Sequence, residues 1–197
     1  FKIYGMKKLY HSVPVSCFKG WMLERNDGRV KIIKQACSKA LRILDLGCHI
    51  GGISFEVFHN NRVVGVDNSP YAIRVAKKLT FALDKPVIFF HQDILNFLRK
   101  PPSRMFNHFD IIICTSILHH IHRASESKFK EILSLLAKRG SKLILDYAEQ
   151  GEATIFPQEF RLSPESIKKM ILNNTGYKNA EIIGLDTQFR RHLFLFQ

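Results

Sequence analysis

The chain has 197 residues, of which 46% are hydrophobic and 24% are charged, and its formal net charge at pH 7 is +13. These values suit one globular domain with a short extension, and they exclude two full domains and a wholly disordered chain. No apolar run reaches the roughly 18 residues that a membrane-spanning helix needs. We therefore expect one folded, strongly basic domain without a membrane span.

The start of the chain carries most of the excess positive charge. Residues 1–42 contain ten Lys or Arg and two acids, so they hold +8 of the net +13. We predict that residues 1–40 form a basic N-terminal lid, with a helix over 29–40, in front of a single domain over 41–197. Such a lid favours an anionic partner, although a solvated basic surface explains the same composition.

The cysteines are Cys17, Cys37, Cys48 and Cys114, and no two of them form a C-x-x-C pair. This spacing predicts neither a zinc site nor any other metal site. A disulfide framework is equally unexpected in a chain of this length, so we expect reduced thiols in a cytoplasmic protein. The chain begins at Phe1 and not at Met, which leaves open whether residues precede it.

From residue 41 onward, short apolar runs alternate with stretches of helical period. We interpret these ranges as strands: 41–46, 62–66, 87–90, 109–114, 142–146, 180–185 and 191–196. Helices are predicted over 53–59, 70–83, 126–138 and 164–176. Ser69-Pro70 and Ser163-Pro164 are typical helix starts, and Gly140 is a typical helix end.

This alternation predicts crossover helices and therefore a three-layer α/β sandwich around a mostly parallel seven-stranded sheet. A short polar link precedes the last predicted strand. Such a link is typical of a hairpin, so we expect the last strand to be antiparallel.

A glycine-bearing turn, Gly47 to Gly52, follows the first predicted strand and opens a helix. Glycines allow a tight turn and a close approach of backbone to a ligand. Asp45 lies inside the end of the strand, where a carboxylate would repel the pyrophosphate of a dinucleotide. The same carboxylate suits a ligand with a cationic amine, so the motif argues against a nicotinamide cofactor.

Two further acids follow the next two predicted strands. Asp67 ends the second strand, where a carboxylate can accept hydrogen bonds from both ribose hydroxyls. Asp93 follows the third strand, where it can accept from an adenine amino group while Ile94 packs on the ring. Acids at the carboxyl ends of three successive strands predict a nucleoside pocket at the switch point of the sheet.

The motifs LDLGCHIGG, GVDNSP, HQDI and FDIIICTSILHHI, in this order, resemble those of class I methyltransferases over residues 29–196. This resemblance implies a Rossmann-like fold, the cofactor S-adenosylmethionine, and cofactor contacts from Asp45, Gly47, Cys48, Gly51, Asp67, Asn68, Asp93, Ile94, Cys114 and Thr115. One departure is that Cys48-His49-Ile50 replaces the smaller residues common in this turn. We therefore expect the His49 side chain to fill part of the opening of the cofactor pocket.

Four residues are candidates for catalysis. His119 and His120 follow the fourth predicted strand, where the family places groups that face the acceptor, and a histidine there can act as a general base. Tyr10 and His11 are placed to close over the methyl group. A structural role remains the alternative for all four, because many methyltransferases need only proximity and alignment.

Two other features are open to more than one interpretation. Tyr147 and Glu149 either face the acceptor or belong to a plain loop. The charges of Arg190, Arg191 and His192 are interpreted as exposed charge at the start of the last strand.

The sequence therefore predicts a methyltransferase for a small or saccharide-like, anionic acceptor. It lacks an added RNA-binding module, and Cys114-Thr115-Ser116 stands where an N-P-P-Y motif would serve a flipped base. An RNA (tRNA) methyltransferase and an inactive S-adenosylmethionine-binding protein are the alternatives. The acceptor, the atom methylated and the oligomeric state do not follow from the sequence.

Overall fold

The computed structural model describes residues 28–38, 41–150, 157–186 and 190–197. Its strands are β1 Arg42–Leu46, β2 Arg62–Asp67, β3 Ile88–His91, β4 Phe109–Cys114, β5 Gly140–Leu145, β6 Ala180–Asp186 and β7 Arg191–Phe196. Its helices are α1 Gly28–Ala36, α2 Gly52–Glu56, α3 Pro70–Ala82, α4 Ile94–Arg99, α5 Leu118–Ala124, α6 Glu126–Arg139 and α7 Pro164–Asn174.

The strands form one seven-stranded sheet in the order β3-β2-β1-β4-β5-β7-β6. The pairs β1–β2, β1–β4, β2–β3 and β4–β5 are parallel, whereas β7 is antiparallel to both β5 and β6. The predicted mostly parallel sheet with an antiparallel last strand is confirmed. Because the strand order reverses between β1 and β4, the carboxyl ends of these two strands border the switch-point crevice.

Helices cover both faces of the sheet, which confirms the three-layer sandwich. One buried cluster joins the sheet to α1, α2 and α3, with Ile33, Phe55 and Ile73 at its centre. The other joins the opposite face to α4, α6 and α7, with Phe97 and Ile132 among its buried members. No helix among the described ranges is long and apolar enough to cross a membrane.

Local hydrogen bonds explain where the helices begin. The Ser69 hydroxyl accepts from the backbone N–H of Ala72, and the Ser163 hydroxyl accepts from that of Ser166, as expected for N-caps. The helices α4 and α5 were missed by the sequence interpretation. Each has only six or seven residues, too short for a helical period to stand out.

The prediction for Gly140 was only partly right. Helix α6 does end at this residue, but Gly140 has an extended backbone (φ −146°) and not the left-handed one of a glycine cap. It is also the first residue of β5, where an added Cβ would lie 2.6 Å from the Ile112 side chain. The glycine is therefore required for close packing against β4.

Helix α1 is held to the sheet by a fully buried guanidinium. Arg29 lies 3.1 Å from the Asp146 carboxylate and 3.2 Å from that of Asp186, and all three side chains are 0% exposed. The helix lies in the predicted region, 29–40, but ends at Ala36. Residues 1–27, which include Tyr10 and His11, lie outside the described ranges. The domain division at residue 40 stays a prediction.

Arg29→Ala should lower the free energy of unfolding by about 3–5 kcal/mol, because it leaves two buried carboxylates without their cation. Urea unfolding measures this change. The matched control is Lys34→Ala, which removes a half-exposed ion pair with Glu56 and should cost less than about 1 kcal/mol. Equal losses in the two variants would contradict the role given to Arg29.

Candidate functional site

The carboxyl ends of β1 to β4 surround a cleft with a volume of about 80 Å³. Eight residues line it: Gly47, Asp67, Asn68, Asp93, Ile94, Ile117, Ile121 and Lys128. The first five are predicted cofactor residues, so separate motifs of the sequence meet at one place. The last three were missed by the sequence interpretation, although Ile117 and Ile121 are spaced as neighbours on one helix face.

The turn after β1 has the backbone geometry of a close ligand approach. Gly47 and Gly51 have φ values of +73° and +86°, which L side chains rarely adopt. An added Cβ at Gly51 would lie 2.6 Å from the ring of Phe89. His49 also has a positive φ, of 50°. The packing against Phe89 therefore shapes the turn, and Gly47 lines the cleft.

The Asp67 carboxylate is anchored by backbone amides on both of its oxygens. Oδ2 accepts from the N–H of His49 at 2.9 Å, and Oδ1 accepts from the N–H of Ser69 at 2.8 Å. A carboxylate offers about four lone-pair positions, so each oxygen can accept one more bond. Asp67 therefore fixes the glycine turn and keeps acceptor positions on both oxygens at the cleft that it lines.

The Asp93 carboxylate has two structural partners. Its Oδ1 caps α4 by accepting from the backbone N–H groups of Leu95 and Asn96, and its Oδ2 lies 2.7 Å from the ammonium of Lys128. Partial burial opposes ionisation, but the hydrogen bond from Lys128 and the helix amides together lower the pKa of Asp93. An adenine amino group would share this carboxylate with Lys128.

Asp45 lies behind the turn and is only 2% exposed. Its carboxylate accepts a hydrogen bond of 2.5 Å from the Ser54 hydroxyl. Burial, reinforced by the negative charge of Asp67, raises the pKa of Asp45 from 3.8 to about 6. Cys48 and Cys114, at 5% and 0% exposure, are likewise buried beside the cleft.

The end of β4 leads into a second set of charged groups. Ser116 has a positive φ of 56°, and its backbone N–H donates to Asp146 at 2.5 Å. Its hydroxyl accepts from the guanidinium of Arg29 at 2.8 Å and of Arg191 at 3.4 Å. The interpretation of Arg191 as exposed strand-end charge was wrong, because this residue is 5% exposed.

The two histidines after β4 lie in helix α5 and differ in exposure. His119 is 1% exposed, and its ring packs against His120 and Tyr147 at centroid distances of 4.3 and 5.8 Å. Burial, followed by the charges of Arg191 and His120, lowers the pKa of His119 to about 2. His119 is therefore neutral at pH 7 and shielded from solvent, whereas His120 is exposed.

Tyr147 and Glu149 are buried, which favours a structural role for both. The Tyr147 hydroxyl contacts Nδ1 of His122, and burial raises the pKa of this phenol. The Glu149 carboxylate lies 2.8 Å from Nδ1 of His192 and so ties the loop after β5 to the start of β7. Among the described residues, no group of His, Cys, Asp or Glu is arranged to hold a metal ion.

Comparison with known proteins identifies this arrangement. Residues 37–181 match the methyltransferase domain family, and this range covers most of the chain. The chain belongs to this family, and it is a class I S-adenosylmethionine-dependent methyltransferase. The predictions of fold, enzyme class and cofactor are confirmed. An added Cβ at Gly47 would lie 3.3 Å from Ile117 and narrow the cleft that both residues line, so the glycine fits close approach of this cofactor.

Individual relatives show the same fold. The carboxy-S-adenosyl-L-methionine synthase of Campylobacter hominis is 26% identical over 185 residues, covering 78% of this chain and 76% of that protein. The bifunctional kinase-methyltransferase WbdD superposes with a TM-score of 0.76 at 22% identity over 98% of this chain, which spans 45% of WbdD. Magnesium protoporphyrin IX methyltransferase of Synechocystis PCC 6803, solved with S-adenosylmethionine, gives a TM-score of 0.62 at 20% identity, covering 86% of this chain and 78% of its own.

Asp67→Asn should weaken S-adenosylmethionine binding by about 1–3 kcal/mol, because only one oxygen remains to accept hydrogen bonds. Isothermal calorimetry measures this change. The matched control is Asp84→Asn, at an exposed aspartate, which should leave cofactor affinity unchanged. Native affinity in the Asp67 variant would refute the assignment of this residue.

The raised pKa of Asp45 predicts a pH dependence of stability. Between about pH 4 and 6 the folded protein holds a proton that the unfolded chain has lost, so stability falls as pH rises through this window. Asp45→Asn removes this effect. The variant should gain up to about 3 kcal/mol relative to the native protein between pH 4 and pH 7, measured by urea unfolding at each pH.

Cofactor binding should show the opposite dependence on pH. Only the ionised form of Asp45 attracts a cationic amine, so native affinity should fall as pH drops below about 6. That fall should be absent in Asp45→Asn and present in Asp84→Asn. An unfolding difference between Asp45→Asn and the native protein that stays constant from pH 4 to 7 would contradict the raised pKa.

Proposed function

We propose that this methyltransferase acts on a small or saccharide-like acceptor that carries an anionic oxygen, and that this oxygen is the nucleophile. The observation that carries the proposal is the position of His119, one of the two histidines predicted as candidates for the base. His119 is 1% exposed and its pKa is lowered to about 2, so it neither reaches an acceptor nor holds a proton for one. An anionic oxygen needs no base, since it is already deprotonated at pH 7.

The cleft residues would hold the cofactor in the manner of the family. The Gly47–Gly51 turn would approach the cofactor with its backbone, and Asp67 would accept from the ribose hydroxyls. The negative charge of Asp45, buried behind the turn, would attract the amine of the methionine part. Asp93 and Ile94 hold the adenine, with Asn68 beside them and the backbone of Cys114 and Thr115 closing the β4 side. The bound cofactor supplies an electrophilic methyl group, and the protein supplies alignment for an in-line transfer.

The positive charge of residues 1–42 supports an anionic acceptor, but less of this charge is available to an acceptor than the composition indicates. Of the +8 in residues 1–42, Arg29 is buried between two carboxylates and Lys34 is paired with Glu56. Arg42 begins β1 and so lies at the opposite edge of the sheet. Residues 1–27 hold five Lys or Arg and two acids, a net charge of +3.

The start of α1 lies at the edge of the sheet that holds the cleft. Its first residue, Gly28, lies beside the carbonyl of Leu185, near the carboxyl end of β6, and Arg29 reaches Ser116 after β4. In the proposal, the charge of residues 1–27 acts on the acceptor from this edge. The exposed His120 follows β4 at the same edge and would contact the acceptor directly, and Tyr10 and His11 would do so from the N-terminal segment.

The relatives named above favour a small acceptor over RNA. The names of two of them describe a small-molecule product or substrate, carboxy-S-adenosyl-L-methionine and magnesium protoporphyrin IX. An RNA acceptor remains the second candidate, because the chain is basic overall.

Charge reversal by Lys7→Glu, Lys8→Glu and Lys19→Glu should raise the KM for the acceptor and leave cofactor affinity nearly unchanged. The matched control reverses three exposed lysines elsewhere, Lys77, Lys100 and Lys142, and should leave both constants unchanged. Steady-state kinetics with candidate carboxylate and phosphate acceptors, at several salt concentrations, measures the effect. A small anion meets one or two charges and should give a shallow salt dependence.

Two outcomes would contradict the proposal. Tight binding of bulk tRNA that weakens by orders of magnitude between low and physiological salt would favour RNA, which contacts the protein through many phosphates. Equal KM values in the native, N-terminal and control variants at every salt concentration would mean that residues 1–27 are only a solvated surface.

A further inference from the structure

A second cavity lies at the amino edge of the sheet, opposite the cofactor cleft. Its volume is about 430 Å³, and the first residues of four strands surround it: Arg42, Arg62, Ile88 and Phe109. Cavities that bind small molecules commonly have volumes of about 300–1,000 Å³. The cavity is therefore large enough for a ligand of its own.

The floor of this cavity is apolar. Phe106 and Phe109 are 9% and 2% exposed, and Val64 lies beside them. At the rim, Ile88 is 45% exposed and Met105 is 63% exposed. Exposed apolar surface that continues into a cavity is typical of a binding site, because covering it removes apolar area from water.

Two arginines lie side by side above this floor. Arg42 and Arg62 are direct partners in the parallel pair β1–β2, so their side chains leave the same face of neighbouring strands, about 4.8 Å apart. Like charges in this arrangement destabilise a sheet. Both side chains line the cavity, and no carboxylate is among its described lining residues. The cavity thus carries two neighbouring positive charges.

The first of these arginines is held in place. Its guanidinium lies over the Phe109 ring at 5.7 Å from the centroid and donates a hydrogen bond to the backbone carbonyl of Met105. The nearby Asp110 carboxylate accepts from the backbone N–H of Arg42 at 2.7 Å. A guanidinium fixed at the rim of an apolar cavity is already oriented for an anion.

We propose that this cavity binds a small amphipathic anion, whose apolar body contacts Phe106 and Phe109 and whose carboxylate or phosphate lies between Arg42 and Arg62. The proposal does not depend on the identity of the methyl acceptor. Strands of four to six residues separate this cavity from the cofactor cleft, which corresponds to about 13–20 Å. The two ligands can therefore bind at the same time.

The test is a titration of the full chain with octanoate, octanol and octylammonium, followed by calorimetry or by ligand-observed NMR. Octanoate should bind at least about tenfold more tightly than octanol, the scale of one charge-assisted hydrogen bond, and octylammonium should bind most weakly. Arg62→Gln should lose this preference for octanoate and keep the melting temperature of the native protein. Ile88→Asn should weaken octanoate and octanol alike.

Two controls locate the binding. Arg74→Gln removes an exposed arginine from α3 and should bind octanoate like the native protein. Saturation with S-adenosylhomocysteine should leave octanoate affinity unchanged. The proposal is overturned if octanoate and octanol bind equally, if Arg62→Gln binds octanoate like the native protein, or if S-adenosylhomocysteine displaces octanoate.

Discussion

The carboxyl edge of the sheet in this methyltransferase depends on the buried guanidinium of Arg29. This one side chain lies within 3.2 Å of Asp146 after β5 and of Asp186 at the end of β6, and it donates to Ser116 after β4. A buried charge is tolerated only when each partner stays in place, since an uncompensated ion in the interior costs several kcal/mol. The start of helix α1 and the ends of β4, β5 and β6 are therefore held in one fixed arrangement.

The cofactor half of the same edge is organised by carboxylates with different environments. Asp67 is held by two backbone amides, Asp93 by a helix end and Lys128, and Asp45 by burial and Ser54. Burial raises the pKa of Asp45 to about 6, whereas the hydrogen bond from Lys128 lowers the pKa of Asp93 despite its partial burial. The carboxylate behind the turn therefore responds to pH in a range where that of Asp93 is ionised.

Positive charge is also divided between the two edges of the sheet. Helix α1 and β1 run in opposite directions, so Arg29 and Arg42 lie at opposite edges although only twelve residues separate them. A count of charge along the chain assigns both residues to one basic segment. In the fold, the first stabilises the carboxyl edge of the sheet from inside, and the second lines a cavity at the amino edge together with Arg62.

The sequence alone determined the sheet, the glycine turn and the acids that follow the first three strands, because these features depend on local period, on caps and on short spacings. It also determined the enzyme class, through four motifs in a fixed order. The burial of His119 and Arg191 and the contact of Lys128 with Asp93 were decided by the tertiary structure, since each joins elements distant in the chain. Short helices such as α5 show no clear helical period, so the sequence predicts loops in their place. Packing of α5 determines that His119 is buried and His120 is exposed. This difference depends on contacts with residues distant in the chain, which a local sequence pattern does not show.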